Sequence, residues 1–144
     1  MSKLRGAKLP SGDLLVCGGW AYGTKYGGIW TSDEYIVFKQ GSNQWKKVGT
    51  MKRARTHHSS TYINGNLLTV GGIGSSSNAI SHHEQFSFEG GIKERKEMPI
   101  ALYGHTATTF NYHKMLICGG RDIQVQKQLM SHRNNNDRIE KKNA

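Results

Sequence analysis

Proline is nearly missing from this chain of 144 residues, with two in all, and cysteine is equally scarce at two. Few prolines against 18 glycines exclude stiff linkers and favour tight turns. Cys17 and Cys118 lie a hundred residues apart without a Cys-x-x-Cys companion. They cannot build a disulfide framework or a zinc site by themselves. Long apolar runs are absent too. The longest aliphatic stretches are Leu14 to Cys17 and Met115 to Cys118, whereas a membrane-spanning helix needs about 20 residues. Only 35% of residues are hydrophobic, which argues against a large helical core, and no window before residue 123 has a 3.6-residue period. The basic start Met1-Ser2-Lys3-Leu4-Arg5-Gly6 has no apolar stretch behind it, so no secretory leader is expected. There is no Asn-x-Ser/Thr acceptor. Together these absences point to a cytoplasmic setting and no membrane partner.

Acidic residues are also short, 10 against 20 Lys plus Arg, giving a formal charge of +10. The excess is spread along the chain, with small clusters at Lys46-Lys47, at Lys52-Arg53-x-Arg55 and in the tail. A diffuse positive balance serves solubility. Without a reader motif beside it, nucleic acid is an unfavoured partner, and non-specific binding through charge is the alternative it leaves.

What the chain does have is a repeat. Gly-Gly closes an apolar run three times: Leu14-Leu15-Val16-Cys17-Gly18-Gly19, Leu67-Leu68-Thr69-Val70-Gly71-Gly72 and Met115-Leu116-Ile117-Cys118-Gly119-Gly120. The intervals are 53 and 48 residues. Turn-forming triplets, Ser11-Gly12-Asp13 and Asn64-Gly65-Asn66, precede the first two runs. Upstream, His57-x-Ser59-Ser60-Thr61-Tyr62 aligns with His105-x-Ala107-Thr108-Thr109-Phe110. Each unit reads as four short strands. The second has strands over 56–63, 66–71, 83–88 and about 92–97, and the first supplies 34–38 and 44–48.

These residues resemble the kelch repeat, the four-stranded blade of one class of β-propeller, whose period is about 50 residues. Phe38 and Trp45 fit the family's spacing of an aromatic ending the third strand and a Trp in the fourth. Met51 followed by Arg55 fits its link to the next blade. The second unit departs from the pattern: Ile92 stands where Trp is expected, and Leu102 where Arg55 stood. The resemblance implies an all-β chain of consecutive four-stranded antiparallel blades forming an incomplete β-propeller, with the kelch region at 1–121 and blades at about 5–50, 52–98 and 103–121, the last partial. Arg121 to Gln126 could open a further strand, and the basic, polar tail at 122–144 reads as disordered. Two and a half blades cannot close a ring of about four to eight. The chain is therefore expected to be a piece of a larger kelch protein or of an assembly, with self-association through its open blade edges.

Alternating strands sort the loops of such blades onto two faces. Residues 20–33, 49–56, 73–82 and 98–104 share one, and the other carries only tight turns. The long-loop face holds Trp20, Tyr22, Tyr26, Trp30, Lys52, Arg53, Arg55 and Tyr103, residue types enriched at binding hot spots. Kelch propellers bind protein partners on this face. The resemblance thus implies a protein-interaction module, a scaffold or substrate-recognition piece, with an acidic partner. For Arg55 the competing reading is an interblade hydrogen bond. The seven histidines suggest a metal, but His57-His58 and His82-His83 are adjacent pairs, and neighbours on a strand point to opposite faces. No metal, cofactor or catalytic residue is expected. The enzyme alternative is a copper-radical oxidase, which needs a Tyr cross-linked to Cys. Cys17 and Cys118 sit directly before Gly-Gly, where small core residues are expected.

Overall fold

The computed structural model describes residues 3–23, 27–111, 114–122, 130–133 and 138–142, the last two segments as backbone only. The described residues are all-β, without a helix, so none is long and apolar enough to cross a membrane. The first sheet is β1 (Arg5–Lys8), β2 (Leu14–Cys17), β5 (Glu34–Lys39) and β6 (Gln44–Thr50), antiparallel in that order. Between β2 and β5 the chain makes a separate two-stranded hairpin, β3 (Trp20–Gly23) and β4 (Gly28–Thr31), where the sequence suggested only a loop. The second sheet holds β7 (Ser59–Ile63), β8 (Asn66–Val70), β9 (His83–Ser87) and β10 (Gly91–Glu94), again antiparallel. Its first turn is Asn64-Gly65, both at positive φ (48° and 79°), the conformation whose twist matches a two-residue hairpin.

The third sheet begins as expected with β11 (Tyr103–Asn111) and β12 (Lys114–Arg121) and then differs. The tail, expected to be without regular structure, carries β13 (Met130–Arg133) and β14 (Arg138–Lys142). β14 pairs with β12 in parallel, so this sheet is mixed. The expectation rested on the tail's lack of apolar residues. The bare edge of β12 offers backbone donors and acceptors that a polar strand can satisfy without them. The rest of the strand suggested over 121–126 falls outside the described residues beyond Asp122. Among the described residues no sheet closes on itself.

Side-chain alternation decides how the sheets stack. Leu15, Cys17, Tyr35 and Val37 pack from the first sheet onto Leu67 and Phe86 of the second. Leu68 and Val70, on the opposite face of β8, pack onto Met115 and Ile117 of the third, with Met98 and Leu102 completing that core. Each sheet thus offers one face backward and one forward.

The repeat is visible in backbone detail. All three Gly-Gly pairs take positive φ at both residues. A Cβ on Gly18 would lie 2.6 Å from the Arg55 carbonyl oxygen and 2.6 Å from His58; one on Gly71 would lie 2.4 Å from the Leu102 oxygen and 2.7 Å from His105. Only glycine lets the links pass so close. A left-handed residue recurs at the start of every unit: Lys3 (φ 55°) and His57 (φ 52°), each two positions before the first strand, and Gly104 (φ 67°), the second residue of β11. This fixes the alignment. Ser59 sits opposite Val70 and Thr106 opposite Cys118, so His58, not His57, is the counterpart of His105. The shift by one residue arises because Gly104 fills the left-handed position that His57 occupies in the preceding unit.

Candidate functional site

Backbone hydrogen bonds gather the long connections at one end of the sheets. Gly19 N donates to Arg55 O at 2.9 Å, and Ser32 N to Gly19 O at 2.8 Å. Thr56 and Ile73 exchange both of theirs (2.9 and 2.8 Å), and Gly104 N reaches His57 O at 2.8 Å. The β3–β4 hairpin, the links at 51–57 and 98–104 and the loop after Gly72 therefore adjoin one another, as the strand alternation required.

On this end the hairpin presents the aromatic residues. Tyr22 and Ile29 are cross-strand partners and stand 55% and 65% exposed. Trp20 is half-buried, edge-on to His57 with ring centroids 5.5 Å apart. Trp30 lies over Gly23, where a Cβ would meet its ring at 3.2 Å. Tyr26 lies outside the described residues. Tyr103 is half-buried at the start of β11, opposite Arg121.

Lys52 and Arg53 are exposed and converge on one carboxylate. Arg53 Nε is 3.2 Å and Lys52 Nζ 4.0 Å from Glu94. The Arg53 hydrogen bond holds the Glu94 carboxyl below its ordinary range. Arg53 also lies 3.2 Å from His82 Nε2, and that ring is 2.6 Å from Glu97. The basic pair is therefore balanced by its own acidic neighbours.

Arg55 does not belong with them. It is fully buried, and its guanidinium donates to Glu84 Oε2 at 2.8 Å, to the Gly71 and His82 carbonyls at 3.0 Å each and to Arg53 O at 3.2 Å. Burial draws its pKa down and Glu84 opposes that shift. Arg55 joins the first two sheets and is closed to any partner. Glu84, equally buried, also accepts from Lys52 N at 2.6 Å.

Below Arg55 lies a sealed polar cluster. Cys17 Sγ is 3.2 Å from Ser60 Oγ and 3.5 Å from His58 Nε2, and Tyr35 Oη is 3.4 Å from Thr69 Oγ1. Burial pushes the Cys17 thiol up and pulls His58 down to about 3. The couple is a neutral thiol against a neutral imidazole, not the thiolate and imidazolium of a nucleophilic pair. Among the described residues no three His, Cys, Asp or Glu converge as a metal site.

Two functional neighbours, Glu84 and Glu94, escaped the sequence reading. Period-two alternation in β9 could have found Glu84, since it places that carboxylate on the Phe86 face, towards Arg55. Glu94 carries no such signal, because its pairing is long-range and exposed.

No family model matches the chain, and no curated protein does. Among solved structures 118 chains match, so the arrangement recurs elsewhere. One is described as the structure of YjhT, 13% identical at a TM-score of 0.65, over 73% of this chain and 40% of that one. At that identity the likeness is one of fold alone, and this chain spans less than half of that protein's length.

Proposed function

We propose that the sheets are kelch-type blades of an incomplete β-propeller and that their loop end docks an acidic protein partner in the cytoplasm. One observation carries the reading: the β3–β4 hairpin leaves the stacked sheets to display Tyr22 and Ile29 in solvent. A two-stranded hairpin is marginal by itself, and this one belongs to neither of the two buried cores, whose residues lie in the four-stranded sheets and their links. Exposed aromatic area on an anchored hairpin suits contact with another protein.

Beside it, Lys52 and Arg53 supply the charge. Arg53 pairs with Glu94 through Nε and meets His82 through Nη2, so a partner carboxylate would approach Nη1 or displace Glu94 outright. Truncating a hot spot costs at least about 2 kcal/mol, some thirtyfold in affinity. The test is a comparative pull-down from cell extract, followed by titration of the recovered partner. Tyr22→Ala/Arg53→Ala should lose it, while Gln40→Ala/Asn64→Ala, on the turn end, should retain it. Equal retention by both variants, or loss only in the second, overturns the reading.

A further inference from the structure

His82 Nε2 lies 3.2 Å from Arg53 Nη2 and 2.6 Å from Glu97 Oε1. A guanidinium only donates and an ionised carboxylate only accepts, so one ring nitrogen cannot serve both. With a proton on Nε2 the ring donates to Glu97 and meets Arg53 donor to donor. Without that proton it accepts from Arg53 and turns a lone pair towards Glu97. The contact has two exclusive states.

The surroundings keep both states within reach. The His82 carbonyl accepts from Arg55 Nη1 at 3.0 Å and from Gly71 N at 3.3 Å, and the Arg53 carbonyl accepts from Arg55 Nε at 3.2 Å. Both backbones are thus tied to a buried guanidinium, while the side chains stay accessible, 23% for His82 and 47% for Arg53. The charges facing the ring are Arg53, with Lys52 beside it, from the link at 51–57, Glu94 from β10 and Glu97 from the link that follows. Arg55 comes only to the carbonyl and is already paired with Glu84. Ser81 Oγ donates to Glu97 Oε2 at 3.1 Å and keeps that carboxylate near. Arg53 is anchored through Nε to Glu94, whereas the Glu97 side chain is 57% exposed and can turn to water. A neutral ring should therefore carry its proton on Nδ1 and keep Arg53.

We infer that His82 positions Arg53 according to its protonation: the neutral ring holds Nη2, and the imidazolium pairs with Glu97 and releases the guanidinium to an acidic partner. Histidine is the side chain that changes charge between about pH 5 and 8, and a partner's carboxylates stay ionised over most of that interval. Mild acid therefore strengthens docking, because the freed Nη2 and the new positive charge on His82 act in the same direction. The partner rests on the loop-end reading; the release of Arg53 rests on the contacts of His82 alone.

The experiment uses the full chain labelled with 15N and 13C. At about pH 8, long-range ring spectra should show His82 protonated at Nδ1, and Arg53 should give two separate Nη signals. On lowering the pH to about 5.5 those signals should merge, with the midpoint of the His82 titration. His82→Gln offers Arg53 a permanent acceptor and should leave its signals independent of pH; circular dichroism matching wild type checks that it is folded. A hexaglutamate peptide, the probe for the partner, should bind wild type about tenfold more tightly at about pH 5.5 than at 7.5, the difference that one charge-assisted hydrogen bond makes. His82→Gln should lose that gain. A neutral His82 protonated at Nε2 overturns the inference, and so do Arg53 signals that ignore the His82 titration or follow pH equally in His82→Gln. Arg53 signals that follow His82 while hexaglutamate gains nothing uphold the release of Arg53 and overturn the loop-end reading instead.

Discussion

At the seam between the first and second sheets the link residue is Arg55, and between the second and third it is Leu102. The frames around them are the same. Met51 and Met98 each lie four residues before, a left-handed residue two after and a histidine three after, and the link carbonyl accepts from Gly19 N or Gly72 N. The fillings differ. Around Arg55 stand Glu84, Thr69, Ser60, Cys17 and the Tyr35 hydroxyl; around Leu102 stand Met98, Met115, Ile117 and Val70, with a buried polar contact beside them, Ser59 Oγ to His105 Nε2 at 2.7 Å. One backbone frame accepts a polar or an apolar seam. The polar one depends on matched partners, because a buried charge is tolerated only when paired.

The most direct way to break the contrast is to make the first seam resemble the second. Arg55→Leu alone leaves the Glu84 carboxylate buried without its cation and should cost about 3–5 kcal/mol. Arg55→Leu/Glu84→Leu removes both charges and should be clearly more stable than the single variant. Urea midpoints of the three proteins decide it. A single variant within about 1 kcal/mol of wild type would mean that the pair does not hold the seam.

Acid should separate the seams next. His58 has a folded-state pKa of about 3 against an ordinary value of 6.5, chiefly through burial, with Arg55 adding to it. The folded chain keeps the ring neutral while the unfolded chain takes up a proton. The histidine's contribution is therefore complete above about pH 6.5 and is lost as pH falls towards about 3. The slope from this one group is at most about 1.4 kcal/mol per pH unit. Denaturation from pH 7 to 4.5 should show it, and His58→Gln should flatten the dependence. An unchanged slope in that variant would assign the acid sensitivity elsewhere.

Glycine substitutions sharpen the comparison between covered and open units. Gly71→Ala meets the Leu102 oxygen at 2.4 Å in a left-handed conformation and should lose at least about 2 kcal/mol. Gly119→Ala carries only the backbone penalty, about 1 kcal/mol. Thermal melts of the two variants should rank in that order. The smallest effect lies at the left-handed position itself. His57→Gly relieves its strain but forfeits the Trp20 edge contact, so the net gain should be under about 1 kcal/mol, read as a small rise in melting temperature. A clear loss would show that the Trp20 contact outweighs the strain.

Much of this architecture was legible in the chain. Gly-Gly after an apolar run marked the strand ends, because no other residue lets the link approach so closely, and Asn64-Gly65 marked a turn whose φ values few residues adopt. Phe38 and Trp45, assigned by spacing to neighbouring strands, are cross-strand partners. The histidine register was misread by one, because His57 stands where the conformation suits Gly and its side chain resembles its neighbour's. Arg55 admitted two readings, a partner contact or a hydrogen bond to the next unit, and the second is the one it makes; its partner Glu84 lies 29 residues on, where pairing across sheets leaves no local pattern. The β3–β4 hairpin and the tail strands were missed because backbone pairing, more than apolar periodicity, holds them.

The contacts between sheets run from β1 to β7, from β6 to β10 and from β7 to β11, which puts β7 at the crossing of both seams. A chain wired to its nearest neighbours loosens from its ends, as linear arrays do. Amide deuterium exchange should then be graded along the sequence. The amides of β7 and β8 hold their protons longest, while those of β6 release theirs without waiting for the molecule to unfold.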